Sequence, residues 1–167
     1  YVADGEGPNN RIVMFTPAGQ YISEWGTTGS GPGQFSTPHD IVIDSRGKIF
    51  IGDRGNNRVQ LFQADGTFIK DWRNFGRPSG IYLNRETDIL YVTDSTSNAT
   101  NNPGVSRGIY VGSALTGEVN YFIPDPNLHL ADQTRISGAS GITSNADDSI
   151  IYAADVAPRQ LRKYQKR

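Results

Sequence analysis

The chain contains two segments that repeat each other without a gap at an offset of 47 residues. One runs from Asn9 to Trp25 and the other from Asn56 to Trp72. Asn-Asn-Arg, Phe, Gly, Ile and Trp recur at matching positions, and the exchanges between the segments are conservative. A period of this length, with short strands and Gly or Asn turns, is typical of a β-propeller or a related repeat array. Because one blade cannot bury both of its faces, neighbouring blades are expected to stack on it.

The composition favours one turn-rich, all-β domain. The chain has 167 residues, the length of a single domain, with 19 Gly and 9 Pro. Its formal net charge is −1, and its one short basic cluster is the C-terminal end, which we interpret as solvated, so no nucleic-acid partner is predicted. No apolar run approaches the ~18 residues of a membrane span. Cysteine is absent, which excludes disulfides and thiolate chemistry.

Each repeat is predicted to carry four strands, named a to d from the axis outward. Strand b ends in a small residue and Asp, whose carboxylate accepts hydrogen bonds from the following turn. Strand c alternates apolar positions, and strand d closes on Trp25, Trp72 or Phe122. We interpret the recurring Trp as a wedge packed between blades. Strand a is predicted at 39–44, 79–84 and 140–145.

These strands divide the chain into four blades. The predicted bounds are 1–26, 38–73, 78–124 and 139–167, with the first blade lacking strand a and the last lacking strand d. The chain opens on Tyr within a predicted strand, so we expect it to be the C-terminal part of a longer ring whose N-terminal part completes the last blade. Two long polar segments, 96–107 and 124–138, are either functional loops or tolerated insertions.

Several short motifs carry a family resemblance. The chain reads Ala3-Asp4-Gly5, Asn10-Arg11-Ile12-Val13, Gly31-Pro32-Gly33-Gln34-Phe35, Pro38-His39-Asp40-Ile41 and Gly52-Asp53-Arg54-Gly55-Asn56-Asn57-Arg58. It thereby resembles NHL-repeat propellers, and among them the peptidyl-α-hydroxyglycine α-amidating lyases and their bacterial relatives, closely over 1–72 and more loosely over 78–167. The predicted fold class is an all-β, NHL-type β-propeller with about three and a half four-stranded blades of a six-bladed ring.

The resemblance implies a site in the central channel that cleaves a C-terminal α-hydroxyglycine into a peptide amide and glyoxylate. It also implies zinc held by His residues at the starts of inner strands, calcium nearby, and Arg and Tyr side chains acting on the substrate. His39 matches a zinc ligand, Asp40 would orient it or touch a cation, and Arg54 matches the Arg that holds the substrate anion. An extracytoplasmic or secreted location is an expectation from the same resemblance.

Two departures from the family pattern weigh against catalysis. Glu6 or Gly7 stands where the family has its catalytic Tyr, and Glu6 is either a candidate base or a solvated loop-tip carboxylate. Ser79 and Ser140 stand at the His positions of the next inner strands, and the second histidine, His129, lies in a loop. A catalytic zinc site needs three converging ligands, so the matched histidine is equally well interpreted as a hydrogen-bonded structural residue.

Three hypotheses of function follow from the sequence, and whether the chain is an enzyme stays open. The first is an axial channel that binds a metal or a small-molecule or peptide ligand, with carbon–nitrogen lyase activity in the full-length protein. The second is a non-catalytic binding or structural propeller, because a fold does not determine a function. The third is self-association, in which exposed strand edges pair with missing N-terminal blades or with a second copy.

Overall fold

A computed structural model describes residues 1–127, 138–157 and 159–166. Short strands dominate this part of the chain, and the helical structure within it is one 3₁₀ turn at Arg54–Asn56. No helix in these three ranges has the length and hydropathy to cross a membrane. The strands are β1 Val2–Asp4, β2 Arg11–Phe15, β3 Tyr21–Trp25, β4 Thr27–Thr28, β5 Gln34–Phe35, β6 Pro38–Ile43, β7 Ile49–Asp53, β8 Arg58–Phe62, β9 Phe68–Trp72, β10 Gly80–Asn84, β11 Ile89–Asp94, β12 Gly108–Ser113, β13 Val119–Pro124, β14 Ala139–Ser144, β15 Ile150–Asp155 and β16 Leu161–Gln165.

Four antiparallel sheets follow one another along the chain as blades. Blade 1 has the order β1-β2-β3, blade 2 has β6-β7-β8-β9, blade 3 has β10-β11-β12-β13, and blade 4 has β14-β15-β16. Each strand pairs with the next one in sequence, which is the up-and-down order of a propeller blade. The predicted all-β propeller fold class is therefore confirmed. The innermost strands β6, β10 and β14, which we call the hub strands, pack against one another from blade to blade.

The connector between blades 1 and 2 is more ordered than the sequence predicts. The Gly and Pro residues at 31–33 favour turns, but β4 and β5 around them pair in parallel, with Thr27 opposite Gln34 and Thr28 opposite Phe35. The Gln34 side chain accepts a hydrogen bond from the Gly31 amide at 2.9 Å, which closes the loop between the two strands. Phe35 is fully buried, so the connector covers the apolar space between blades 1 and 2.

Hydrophobic side chains are buried mainly between blades rather than within them. Three clusters lie at the three successive joints, and each draws residues from both adjoining blades. At the joint between blades 2 and 3, for example, Phe50 and Trp72 pack with Phe75 and Leu90. Face-to-face burial of apolar area supplies most of the stability of such stacked repeats. The expectation that each blade needs its neighbours is met in this arrangement.

The recurring Trp residues lie at these joints, as predicted. The ring of Trp25 lies 6.2 Å from the ring of Phe62 in blade 2, and it covers the turn at Gly66. Trp72 covers the equivalent turn of blade 3, where a Cβ on Gly117 would meet its indole at 2.3 Å. Each Trp at the end of an outer strand therefore packs on the turn between strands c and d of the next blade.

A second joint contact, which the sequence did not predict, ties blade 3 to blade 4. The carboxylate of Asp148 accepts hydrogen bonds from the hydroxyls of Thr87 at 2.5 Å and Tyr91 at 2.9 Å in blade 3. It also accepts one from Ser144 of its own blade at 2.5 Å. Burial opposes ionisation of Asp148, but these hydrogen bonds outweigh it and lower the pKa of the carboxyl. Asp148 therefore binds the two blades as a charged acceptor.

Candidate functional site

The structure brings together three of the four predicted site residues at one end of the hub. His39 lies at the start of β6, Arg54 in the 3₁₀ turn after β7, and Glu6 in the turn after β1. One oxygen of Glu6, Oε1, lies 3.3 Å from Nε2 of His39 and 3.2 Å from Nη1 of Arg54. We call this group of three the hub-end site. Two neighbouring blades contribute to it, so stacking of blades 1 and 2 creates it.

A β-bulge positions His39. Pro38 pairs with Asp53 and Asp40 pairs with Gly52, so His39 is the extra residue of its strand. Bulges turn a side chain away from the regular alternation and are frequent next to functional sites. Blade 4 repeats the irregularity at Ser140, between Ala139 and Gly141. Hub strands β6 and β14 therefore share a backbone irregularity at their starts, with His39 and Ser140 as the extra residues.

The protonation of one ring nitrogen of His39 follows from its partner. Nδ1 lies 2.6 Å from the carbonyl oxygen of Ser79, and because a carbonyl only accepts, Nδ1 carries a proton. Nε2 then faces Glu6. If Nε2 is also protonated, the contact is an ion pair, and if it is not, Nε2 is a free acceptor or a metal ligand. A histidine whose other nitrogen donates to a backbone carbonyl is the usual arrangement at metal sites.

Arg54 presents a largely desolvated guanidinium to the same place. Its side chain is 15% exposed, while that of Glu6 is 69% exposed. The backbone amide of Arg54 donates to the Thr37 carbonyl at 3.2 Å, which ties the 3₁₀ turn to the residue just before Pro38. Nε of Arg54 is buried and has no hydrogen-bond partner among the described residues. A guanidinium held in this way has donors left for an incoming carboxylate.

The fourth predicted residue, Asp40, faces elsewhere. Its two carboxylate oxygens accept hydrogen bonds from the backbone amides of Ile41 at 2.8 Å and Ile81 at 2.7 Å. Burial raises the pKa of the Asp40 carboxyl, against the opposing effect of the two amides and of His39. Asp40 thus links hub strand β6 to hub strand β10. Its assignment to a metal stays a prediction.

The described residues do not supply a ligand set for zinc. Residues 1–127, 138–157 and 159–166 contain no group of three His, Cys, Asp or Glu side chains placed to hold a metal ion. At the position of His39 in blade 3, the Ser79 hydroxyl pairs with the Ser95 hydroxyl at 2.7 Å and is buried. His129 lies outside the described residues. Catalytic zinc takes three protein ligands, so the zinc and calcium expectations stay predictions.

Sequence reasoning missed a second arginine beside the site. Arg77 donates from Nε to the Thr96 hydroxyl at 2.9 Å, and its Nη1 lies 3.4 Å from the side-chain oxygen of Asn57. Burial, and then the like charge of Arg54, lower the pKa of the Arg77 guanidinium, against the effect of Asp94. Asn57 ends the 3₁₀ turn that contains Arg54, so the contact with Asn57 places two side chains of like charge at the same joint.

The repeat itself offered a signal for Arg77. Asn10 and Asn57 are equivalent in the 47-residue repeat, and the side-chain oxygen of each contacts the residue before a Pro at the entry to the next hub strand. In blade 1 this is the amide of Thr37, which donates to Asn10 at 2.6 Å. In blade 2 it is the guanidinium of Arg77. Thr37 and Arg77 therefore occupy equivalent positions of successive repeats, and an alignment of the two would have placed the Arg77 cation beside the hub.

Comparison with known proteins agrees with this architecture. A family model described as 6-bladed beta-propeller matches residues 1–103, which is more than half of the chain. The chain belongs to this family. NHL repeat-containing protein 3 of Homo sapiens is 26% identical over 98% of the chain and 46% of its own length. The chain therefore spans about half the length of this relative.

Two further matches bear on the family and the fold. Peptidyl-glycine alpha-amidating monooxygenase of Mus musculus is 47% identical over 47 residues, which are 26% of the chain and 5% of that protein. The chain is thus an NHL-type propeller related to both proteins, as the sequence predicted. A solved structure of Kuenenia stuttgartiensis hydrazine synthase aligns with 77% of this chain, and the alignment takes in 36% of the hydrazine synthase chain. The TM-score is 0.52 and the sequence identity is 14%. That likeness concerns the fold alone.

Proposed function

We propose that the hub-end site binds the carboxylate group of a small molecule or of a peptide C-terminus. The observation that carries the proposal is the position of Glu6, whose Oε1 lies within 3.3 Å of both His39 and Arg54. A carboxylate of the chain itself thus occupies a place where an imidazole and a guanidinium converge. A ligand carboxylate in that place would receive N–H groups from Arg54 and, when Nε2 of His39 is protonated, a further donor from the imidazolium.

Local chemistry explains why a carboxylate suits this place. The guanidinium of Arg54 is mostly removed from water, which strengthens its attraction for an anion. His39 is held by the Ser79 carbonyl, so its Nε2 needs no reorientation to meet a ligand. Because Glu6 is exposed on a turn, it can leave without uncovering the core. The site therefore combines two donors held in place, His39 and Arg54, with a carboxylate, Glu6, that a ligand can displace.

Binding of a peptide with a free C-terminus and of the same peptide with an amidated C-terminus tests the proposal. Isothermal titration of the full chain is expected to show saturable binding of the acid and at least about tenfold weaker binding of the amide. Arg54→Gln should remove the preference, since Gln cannot form the charged fork. Arg85→Gln is the matched control, because Arg85 lies beyond the opposite end of β10 and donates to Ile43. Equal binding of acid and amide by the wild-type chain would overturn the proposal.

A second candidate function is carbon–nitrogen cleavage of a peptidyl-α-hydroxyglycine. It is favoured by the relation to peptidyl-glycine alpha-amidating monooxygenase, whose matched stretch is 47% identical. In this hypothesis Arg54 holds the substrate carboxylate, and Glu6 takes the α-hydroxyl proton as the C–N bond breaks and glyoxylate forms, then returns that proton to the departing amide nitrogen. Glu6 is assigned this role because its carboxylate contacts His39. The test is glyoxylate release by the full-length protein. Turnover that survives both Arg54→Gln and Glu6→Gln would contradict these roles.

A further inference from the structure

We infer that Arg54 and Arg77 form a two-guanidinium site that selects ligands carrying two acidic groups, such as dicarboxylates, over ligands carrying one. This inference rests on the proposed function and names its ligand class more closely. It is carried by the placement of Arg77 on the blade 3 side of the hub-end site. Arg77 lies two residues before Ser79, whose carbonyl holds His39.

Arg77 is fixed in place by neutral oxygens. Its Nε donates to Thr96 at 2.9 Å, and Nη1 has a long contact of 3.4 Å with Asn57, the residue that ends the 3₁₀ turn containing Arg54. Neither partner carries a charge. The guanidinium is therefore oriented without being neutralised by these contacts, which is the state expected of a group that receives an anion.

The carboxylate of Asp94, which accepts a hydrogen bond from the Arg77 backbone amide, is also engaged by other donors. Asp94 is fully buried and accepts hydrogen bonds from the backbone amides of Arg77, Thr96 and Ser97 and from the Ser97 hydroxyl. These four donors hold the carboxylate at the end of β11. Asp94 moderates the positive charge of Arg77, but its oxygens serve the loop after β11 rather than the Arg77 guanidinium.

Glu6 satisfies half of this pair. It bonds to Arg54 through Nη1, and no hydrogen bond joins it to Arg77 in the part of the chain that the structure describes. The one carboxylate therefore pairs with one guanidinium, and the repulsion between Arg54 and Arg77 persists. A ligand with a second acidic group pairs with both guanidinium groups, so it binds more tightly than a monocarboxylate.

Succinate and acetate measured on the full chain test the inference. Wild-type protein is expected to bind succinate at least about tenfold more tightly than acetate, because the second carboxylate gains a charge-assisted contact. Arg77→Gln should reduce this ratio to the statistical factor of about two, because the second carboxylate then lacks its guanidinium. Arg73→Gln is the matched control, since Arg73 is 60% exposed and paired with Asp71.

Side-chain NMR of the wild-type protein supplies a measurement that does not depend on a variant that folds. The Nε–H signal of Arg77 is expected to shift with succinate and to stay in place with acetate. A succinate-to-acetate ratio of about two in the wild-type protein, or an unmoved Arg77 signal, would overturn the inference. Absence of Arg54-dependent acetate binding would instead overturn the proposed function, so the two failures are distinguishable.

Discussion

The carboxylate of Glu6 lies 3.2 Å from a guanidinium nitrogen of Arg54, although 48 residues separate the two in the chain. Stacking of blade 1 on blade 2 makes this contact, and the same oxygen lies 3.3 Å from His39. Glu6 thus holds, from within the chain, the position that we assign to a ligand carboxylate. A ligand must displace it, so Glu6 acts as an internal competitor.

Glu6→Gln is therefore expected to raise the affinity for a peptide with a free C-terminus. Since an internal competitor lowers apparent affinity by the fraction of time that it occupies the site, a rise of about three- to tenfold is predicted in an isothermal titration. Glu86→Gln, which changes an exposed Glu at the turn after β10, should leave the affinity unchanged. An equal or lower affinity of the Glu6→Gln protein would contradict the competitor role.

Gly117→Ala is predicted to weaken the joint between blades 2 and 3. Gly117 has a φ of +79°, and a Cβ there would meet the indole of Trp72 at 2.3 Å. We expect the free energy of unfolding to fall by about 2–4 kcal/mol in urea denaturation, from backbone strain and overpacking together. Gly19 has the same φ but open space around it, so Gly19→Ala should cost about 1 kcal/mol from the backbone alone. Equal losses for both variants would show that the Trp contact does not matter.

Arg58→Lys is predicted to be strongly destabilising although it keeps the charge. The side chain of Arg58 is 2% exposed, and its nitrogens bond to Asp53, Asp71 and the carbonyls of Gly31 and Gln34. Lysine cannot reach all four acceptors, and Asp53 is fully buried, so about 2–4 kcal/mol of unfolding free energy should be lost.

The equivalent residue of blade 1 gives the control for Arg58. Arg11 bonds to Asp4 and Glu24, but its side chain is 37% exposed. Water can replace what Lys fails to reach there, so Arg11→Lys should lower the melting temperature much less than Arg58→Lys. Melting temperatures that fall by similar amounts in the two variants would contradict the importance of burial.

Asp148 is predicted to make the joint between blades 3 and 4 sensitive to acid. Its pKa is lowered in the folded protein, so its contribution to stability is present above the unfolded-state value of about 3.9 and is lost as the pH falls through the folded-state pKa. Asp148→Asn should reduce the free energy of unfolding at pH 7 and pH 5 by a similar amount. The difference from wild type should shrink below about pH 4.

Urea denaturation at pH 7, 5 and 3 checks this prediction. Asp147→Asn is the matched control, because Asp147 is exposed and bonds to Ser149 within its own turn. It is expected to have the smaller effect at pH 7. A difference between wild type and Asp148→Asn that grows towards pH 3 would contradict the sign of the argument.

The strands could be predicted from sequence because their signals are local. Alternating apolar residues, the Asp that ends strand b and the Gly of the next turn recur in each repeat, and β2, β3, β8 and β9 follow them closely. The parallel pair of β4 and β5 was missed, since Thr27 and Gln34 carry no alternating pattern. The bulge at His39 was also invisible, because it appears only once β6 and β7 are paired.

The sequence predicted only part of the site. The reason is that its residues belong to different blades. Family motifs pointed to Glu6, His39 and Arg54 separately, and only stacking of the blades shows that Glu6 meets the other two. Asp40 was grouped with His39 because the two are adjacent, yet its carboxylate turns to the amide of Ile81. Arg77 was missed since its contact with Asn57, at the end of the turn that holds Arg54, forms only at the joint between blades 2 and 3.

Titration of the full chain with acetate, followed by NMR of the Arg54 Nε–H and the His39 ring, tests the central claim most directly. If the hub-end site binds a carboxylate, both signals shift together and saturate with one dissociation constant, while the Nε–H of Arg85 stays in place. Arg54 and His39 signals that do not move, or that move no more than that of Arg85, would contradict the account.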